Sequence, residues 1–143
     1  MLVNDSKEAS QAYARIQHPG TRALFSFWEK IRGEKAAPAR DDLDLRQISP
    51  LVPNLLMLER DQLNQTFKWR LAGSEISQLY RQKLTNTDAL AGWRGFERNS
   101  LKQLFTTVVT GLQPCLVRFH LTTDTGQVIG AELIGLPIHA RNG

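Results

Sequence analysis

Residues 66–73 of the 143-residue chain read TFKWRLAG, and this stretch decides the prediction of the fold. Its large apolar side chains, Phe67, Trp69 and Leu71, occupy alternate positions, which is the period of a strand with one buried face. The apolar run 55–59 precedes it, and a short polar stretch separates the two segments. We therefore predict that they form a β-hairpin.

A second hairpin is predicted near the end of the chain. Residues 115–122 alternate in the same way, and residues 124–126 (DTG) supply a three-residue turn with a glycine. That turn places Arg118 opposite Glu132 and His120 opposite Gly130. The return strand is predicted over 128–138, where Gly130 and Gly135 indicate bulges or close backbone approach.

Helices are predicted between and before the hairpins. A short helix begins at residues 73–74 and carries Ile76, Leu79 and Tyr80, and Leu45 and Ile48 fit one earlier helical turn. The longest helix presents a single apolar stripe, which predicts a core-facing surface. That stripe comprises Leu101, Leu104, Phe105, Val108, Val109 and Leu112.

Two further helices are predicted before residue 33. The first has a start signal at Asp5 and Glu8 and ends at residues 18–20, and the second runs from about residue 21 to Gly33. Their apolar stripes are Ala9, Ala12, Tyr13 and Ile16, and Leu24, Phe27, Trp28 and Ile31. Residues 33–44 read as a surface connector. We predict amino-terminal helices over 1–33 and a core domain over 34–143. The fold class is α+β, an antiparallel sheet with helices on one face.

Composition excludes several classes of protein. Hydrophobic residues make up 41% and charged residues 22%, with a formal charge of +4, as is typical of globular proteins rather than disordered ones. Cys115 has no partner for a disulfide, and the three histidines have no metal-ligand spacing with it. The amino terminus lacks the pattern of a secretory signal and no apolar run is long enough for a membrane span, so we expect a cytoplasmic protein.

The order of elements and a set of short motifs resemble a PAS domain, and in particular a bacterial PAS-like family of sensory and regulatory proteins. The motifs are Trp28 with Arg32-Gly33, Pro38 and Arg40 ahead of Asp44, Pro53 with Glu59, residues 69–73 (WRLAG), and Glu132-Leu133 with Leu136-Pro137. The chain departs from the family at residues 80–88 (YRQKLTNTD), a segment that lines the ligand pocket in PAS domains. The resemblance implies a non-enzymatic module that binds a small molecule or a protein partner and signals through its amino-terminal helices, which could also form a homodimer.

A ligand pocket is predicted between the long helix and the sheet. The residues expected to border it are Tyr80, Trp93, Phe105, Phe119 and Arg118. The histidines and the cysteine are not placed as expected for haem or flavin binding. The sequence therefore identifies no cofactor for this pocket. Glu59 and Arg70 could hold a ligand group, but an exposed ion pair between strands is the preferred interpretation.

Other chemistries have weaker support. Nucleic-acid binding is the alternative function, through the basic segment 81–102, although no two basic residues are adjacent anywhere in the chain. Its basic residues are Arg81, Lys83, Arg94, Arg98 and Lys102. Phosphate-loop and zinc-hydrolase motifs are lacking, so we predict no enzymatic activity. Cys115 is interpreted as a small core side chain, and Asp41, Asp42 and Asp44 as charges near a helix start.

The strand count differs from that of a complete PAS sheet. We predict four strands where PAS domains have five, and the fifth lies centrally, so its lack would leave a divided sheet with open edges. Asn142-Gly143 is a turn signal with no strand after it. We expect the sequence to be a fragment, in preference to a sheet completed by an amino-terminal segment or a neighbouring subunit.

Overall fold

The computed structural model describes residues 14–122 and 125–140. Its helices are α1 (Pro19–Arg32), α2 (Ser74–Tyr80) and α3 (Gly95–Gly111). Its strands are β1 (Leu56–Asp61), β2 (Thr66–Ala72), β3 (Cys115–Thr122) and β4 (Val128–Gly135). Short 3-10 segments occupy Arg40–Asp42 and Leu45–Asn54. The predicted α+β class is confirmed.

Some predictions fall outside the described residues. These are the start signal at Asp5 and Glu8, most of the helix over 9–16, the turn residue Asp124, and Asn142-Gly143. From that first helix only Ala14 and Arg15 are described as helical.

The chain divides into two compact units. The first unit comprises Met1–Asp42 and Leu112–Gly143, and the second comprises Leu43–Gly111. Helix α1 and the β3–β4 hairpin belong to the first unit; the β1–β2 hairpin, α2 and α3 belong to the second. Among the described residues the strands form two separate two-stranded antiparallel sheets, which is the divided arrangement that a count of four strands predicts. The division at residue 33 stays a prediction.

The second unit is built around strand β2. This strand covers the predicted residues, and its alternate side chains Phe67 and Trp69 are buried. The β1–β2 ladder shifts register between Met57 and Leu58. The short helix α2 also forms where it is predicted, and of its three apolar residues Leu79 is 53% exposed. A seven-residue helix presents only one narrow face to the core, and Ile76 and Tyr80, four residues apart, occupy that face.

Helix α3 buries less of its apolar stripe than predicted. Val108 is buried, Phe105 is half-buried, and Val109 is exposed. Val109 lies at one edge of the stripe, so the centre of the helix face can be covered while this side chain stays in solvent. The prediction that the whole stripe is core is therefore wrong at that edge.

The β3–β4 hairpin confirms the predicted register. Arg118 faces Glu132 and His120 faces Gly130. The ladder is regular through Gly130 and Gly135, so the predicted bulges are wrong. Strand β4 ends at Gly135, earlier than predicted, because Pro137 carries no amide hydrogen with which to continue the ladder.

Helix α1 begins earlier and the connector is more buried than predicted. His18 caps the helix and Pro19 occupies its first turn, whereas the end at Gly33, with φ of +58°, is as predicted. The connector prediction is wrong at Ala37 and Pro38, which are buried. Their backbone is held by His139, whose amide donates to the Pro38 carbonyl at 2.9 Å and whose carbonyl accepts from Arg40 at 2.9 Å.

The first unit has a core drawn from both ends of the chain. It joins residues before and within α1 to residues of the last hairpin and of the segment that follows it. Its members are Ile16, Phe25, Trp28, Leu116, Ile134 and Leu136. Because these contacts link residues about a hundred positions apart in the sequence, no local pattern predicts them.

Candidate functional site

An aromatic cluster forms the core of the second unit. The Tyr80 and Trp69 ring centroids lie 5.7 Å apart with an interplanar angle of 71°, and those of Phe67 and Phe105 lie 5.4 Å apart at 67°. Both pairs are edge-to-face, the arrangement that aromatic quadrupoles favour. Tyr80 and Phe105, two of the five predicted ligand residues, are thus brought into one apolar cluster.

The segment that PAS domains use to line a pocket is held along strand β2. The Trp69 carbonyl accepts from Asn86 at 2.7 Å, the Trp69 amide donates to Thr87 at 3.0 Å, and the Ala89 amide donates to Phe67 at 2.7 Å. Leu84 and Ala89 are buried against the aromatic cluster. We call residues 84–89 the strap.

The remaining predicted ligand residues are placed elsewhere. Trp93 is half-buried in the loop after the strap, and its amide donates to Leu90 at 3.1 Å. Phe119 and Arg118 lie on β3, in the first unit, where Phe119 is half-buried. The predicted pocket bordered by all five residues stays a prediction.

The glycine of the WRLAG motif allows a close backbone approach. The Gly73 amide donates to the Leu55 carbonyl at 2.8 Å, and a Cβ atom on Gly73 would overlap the carbonyl oxygens of Val52 and Pro53. This residue lets the 3-10 segment pack against the start of α2, which carries Tyr80 into the aromatic cluster.

Glu59 and Arg70 form the ion pair between strands that the sequence favours. The Arg70 guanidinium donates to Glu59 and, at 2.8 Å, to the Asn86 side chain in the strap. These charges border an open depression of about 390 Å³ at the end of the first hairpin. Its lining residues are Glu59, Arg60, Asp61, Gln62, Leu63, Lys68 and Arg70. Both ion-paired side chains are about half exposed, so the pair adds little stability.

A buried carboxylate holds the start of α1 on strand β4. The side chain of Glu132 is 7% exposed and accepts from the Gln17 and His18 amides, each at 3.0 Å, and from Arg118 Nε at 3.0 Å. Burial raises the pKa of Glu132, but the two amides, the Thr21 hydroxyl and the Arg118 guanidinium outweigh it and leave that pKa below its ordinary value. Glu132 is therefore a fixed anion in the first unit.

The Trp28 and Arg32 positions of the resemblance also make structural contacts. Trp28 Nε1 donates to the Pro137 carbonyl at 2.8 Å in a buried hydrogen bond, and the Arg32 guanidinium lies 5.1 Å from the centre of the Trp28 ring. Arg32 also pairs with Glu29 at 2.9 Å. The Trp28 hydrogen bond and the contacts of Glu132 link α1 to the last hairpin and the segment after it, whereas these two contacts of Arg32 lie within α1.

The family is decided by comparison with known proteins. A family model described as PAS domain matches residues 16–143, which is most of the chain and extends over parts of both units. The chain belongs to the PAS domain family. The predicted resemblance is thereby confirmed at the level of the family. Comparison with curated proteins and with solved structures finds no match.

Several residues that make structural contacts in this PAS domain cannot be recognised from the sequence alone. His18 reads as the end of a helix, yet it caps the next one; the Pro19 that follows it is the usable signal. The backbone amides that donate to Glu132 lie more than a hundred residues away in the sequence, so no short sequence pattern indicates these hydrogen bonds. Asn86, the strap partner of Arg70, has a φ of +66°, a backbone conformation that asparagine tolerates.

The basic segment of the PAS domain is partly engaged in internal contacts. Arg98 donates to the Leu90 carbonyl at 2.6 Å and lies 3.5 Å from Asp88. Asp44 caps the second 3-10 segment, as its interpretation as a helix-start charge predicts. Within residues 14–122 and 125–140, no three side chains are grouped as a metal site needs. Over the same ranges, no helix has both the length and the apolar character for crossing a bilayer.

Proposed function

We propose that this PAS domain is a non-enzymatic sensory module that binds a small apolar or aromatic molecule beside Tyr80 and Phe105. The observation that carries the proposal is the aromatic cluster of the second unit, with the strap held over strand β2. Ligand sites in proteins are mostly lined by apolar and aromatic side chains with a few polar groups. A protein partner is the alternative occupant.

The strap supports the proposal because it is held on strand β2 by a small number of contacts, which a bound ligand could alter. It is held by backbone hydrogen bonds to β2 and by the burial of Leu84 and Ala89. Arg70 reaches its Asn86 from the strand. A ligand that packs on Tyr80 or Phe105 would alter the packing of the strap, which gives the site a structural response to occupancy.

The output is proposed to run through the amino-terminal helices. Helix α1 packs on the last hairpin through an apolar core, and the directional contacts of Trp28 and Glu132 fix its position there. Self-association through these helices belongs to the same proposal. A change in the hydrogen bonds of Trp28 or Glu132 is proposed to alter how these helices pack, which is one way a signal can leave a domain.

A thermal-shift screen of aromatic and apolar metabolites, with native mass spectrometry for any compound that co-purifies, tests the binding. A ligand at a hundred times its Kd is expected to raise Tm by roughly 5–10 °C. Phe105→Leu and Tyr80→Leu are expected to weaken that shift, because they remove the ring contacts of the cluster. Phe96→Leu is the matched control, since Phe96 is an aromatic residue of α3 that is 85% exposed.

Two results would overturn the proposal. One is the lack of any co-purified or stabilising compound together with a failure to capture a protein partner. The other is a ligand whose shift is unchanged in both cluster variants, because it would then bind elsewhere on the molecule.

A further inference from the structure

Two hydrogen-bond acceptors of different chemistry bind the backbone amides at the start of helix α1. The Glu132 carboxylate accepts from the Gln17 and His18 amides, each at 3.0 Å. The imidazole Nδ1 of His18 accepts from the Gly20 amide, also at 3.0 Å. The first is a carboxylate that reaches the helix from strand β4, and the second is the cap residue of the helix itself.

The His18 contact exists only when the imidazole is neutral. A ring nitrogen accepts a hydrogen bond only while it carries no proton, and the backbone amide of Gly20 can only donate. Protonation of His18 would set a donor against a donor. It would also place a positive charge at the positive end of the helix dipole.

The charged groups around His18 come from each element packed against it. Glu132 faces it from β4, and Arg118 on β3 pairs with Glu132 and donates to the Arg15 carbonyl. Arg22, within α1, donates through Nε to the Ile16 carbonyl at 2.6 Å. Histidines change charge between about pH 5 and 8, whereas the low pKa of Glu132 keeps its carboxylate ionised throughout that range. The two acceptors therefore respond to acid separately.

We propose that His18 is a proton-operated latch on the first turn of α1. Neutral His18 accepts the hydrogen bond from the Gly20 amide and so caps the first turn of the helix. Protonated His18 loses this hydrogen bond, while Glu132 still accepts from the amides of residues 17 and 18. The latch adds an acid response to the output helix. It rests on the proposed function only for its consequence in signalling, because the latch itself needs no ligand.

Amide NMR of the full chain at pH 7 and pH 5.5 tests the latch. Protection of the Gly20 amide, corrected for the intrinsic exchange rate, is expected to fall about fivefold at the lower pH, the factor that a typical helix cap contributes. The chemical shift of the Gly20 amide should also differ between the two pH values, because its acceptor is the His18 ring. The Gln17 and His18 amides should keep their protection, because Glu132 stays ionised.

His18→Asn is the decisive variant, since asparagine caps a helix without titrating over this range. It is expected to keep Gly20 protection equal at the two pH values. His139→Asn is the matched control, because the contacts described for His139 are made by its backbone, and it should leave the wild-type response intact.

The latch is overturned if Gly20 protection in the wild type is the same at both pH values, or if His18→Asn retains the wild-type response. The wild-type titration decides the first outcome even if the variant folds poorly. Neither outcome bears on ligand binding in the second unit, so failure of the latch and failure of the proposed function are distinguished.

Discussion

At the scale of single residues, Gly73 is required for its lack of a side chain. Its φ of −63° is available to any residue, so conformational freedom is not the reason for a glycine here. The reason is space, because the carbonyl oxygens of Val52 and Pro53 occupy the position of a Cβ atom. The final glycine of the WRLAG motif is thus explained by backbone packing inside the second unit.

We predict that Gly73→Ala destabilises the protein by more than about 2 kcal/mol, because the obstructing atoms are backbone and cannot move cheaply. Chemical denaturation followed by circular dichroism measures the change. Gly130→Ala is the matched control: a Cβ atom there meets nothing within 4 Å, and the substitution should be neutral or slightly stabilising in a strand. Equal stability of the wild type and Gly73→Ala would contradict the packing argument.

At the scale of elements, the Glu132 carboxylate of strand β4 links to the residues that open helix α1. Glu132 takes hydrogen bonds from the segment before the helix and from Arg118 on the neighbouring strand. Removing its charge weakens three hydrogen bonds to one carboxylate at once, which costs more than the loss of a single exposed ion pair. The sequence motif Glu132-Leu133 therefore marks a joint between elements.

We predict that Glu132→Gln lowers the free energy of unfolding by about 2–3 kcal/mol at pH 7. Because the folded-state pKa of Glu132 is lowered from its ordinary 4.5, its stabilisation is fully present above that value and is lost as pH falls through the lowered pKa. The difference between wild type and variant should therefore narrow as the pH falls below 4.5.

Denaturation curves of Glu132→Gln at several pH values measure this effect. Glu29→Gln is the control, since Glu29 pairs with Arg32 three residues along the same helix and, within the described residues, holds no other segment, so its loss should cost less than the loss of the Glu132 charge. A pH-independent difference between Glu132→Gln and wild type would show that the charge of Glu132 is not what holds the helix.

At the scale of the whole molecule, the first unit is assembled from the two ends of the chain around an inserted second unit. Its core needs Phe25 and Trp28 from α1 as well as Leu116 and Ile134 from the last hairpin. A two-stranded hairpin is marginally stable by itself in water, so α1 supplies the surface on which this hairpin folds.

We predict that deletion of residues 1–33 unfolds the β3–β4 hairpin, because it exposes the apolar side chains that α1 covers. Amide exchange of β3 and β4 in the truncated protein should approach that of an unstructured peptide. The β1–β2 hairpin, whose core lies within Leu43–Gly111, serves as the internal control and should stay protected. Full protection of β3 and β4 in the truncated protein would instead support a domain that begins at residue 34.

The sequence by itself determined what depends on neighbours along the chain. Strand β2 has its predicted bounds, Gly33 ends α1, and the register of Arg118 with Glu132 follows from the position of the turn. Alternation, caps and turn residues act within a few positions, so their physical causes can be read from short stretches. The same motifs, taken in order, predicted the PAS family.

Only the tertiary structure decided what those residues do once distant segments meet. Ala37 and Pro38 are buried because the segment containing His139 returns beside them, and Leu79 is exposed because its short helix turns another face to the core. Arg118, expected at a ligand, also holds the carboxylate that anchors α1. Burial and hydrogen-bond partners depend on contacts between segments far apart in the sequence. The periodic pattern of apolar residues within a short stretch therefore cannot predict them.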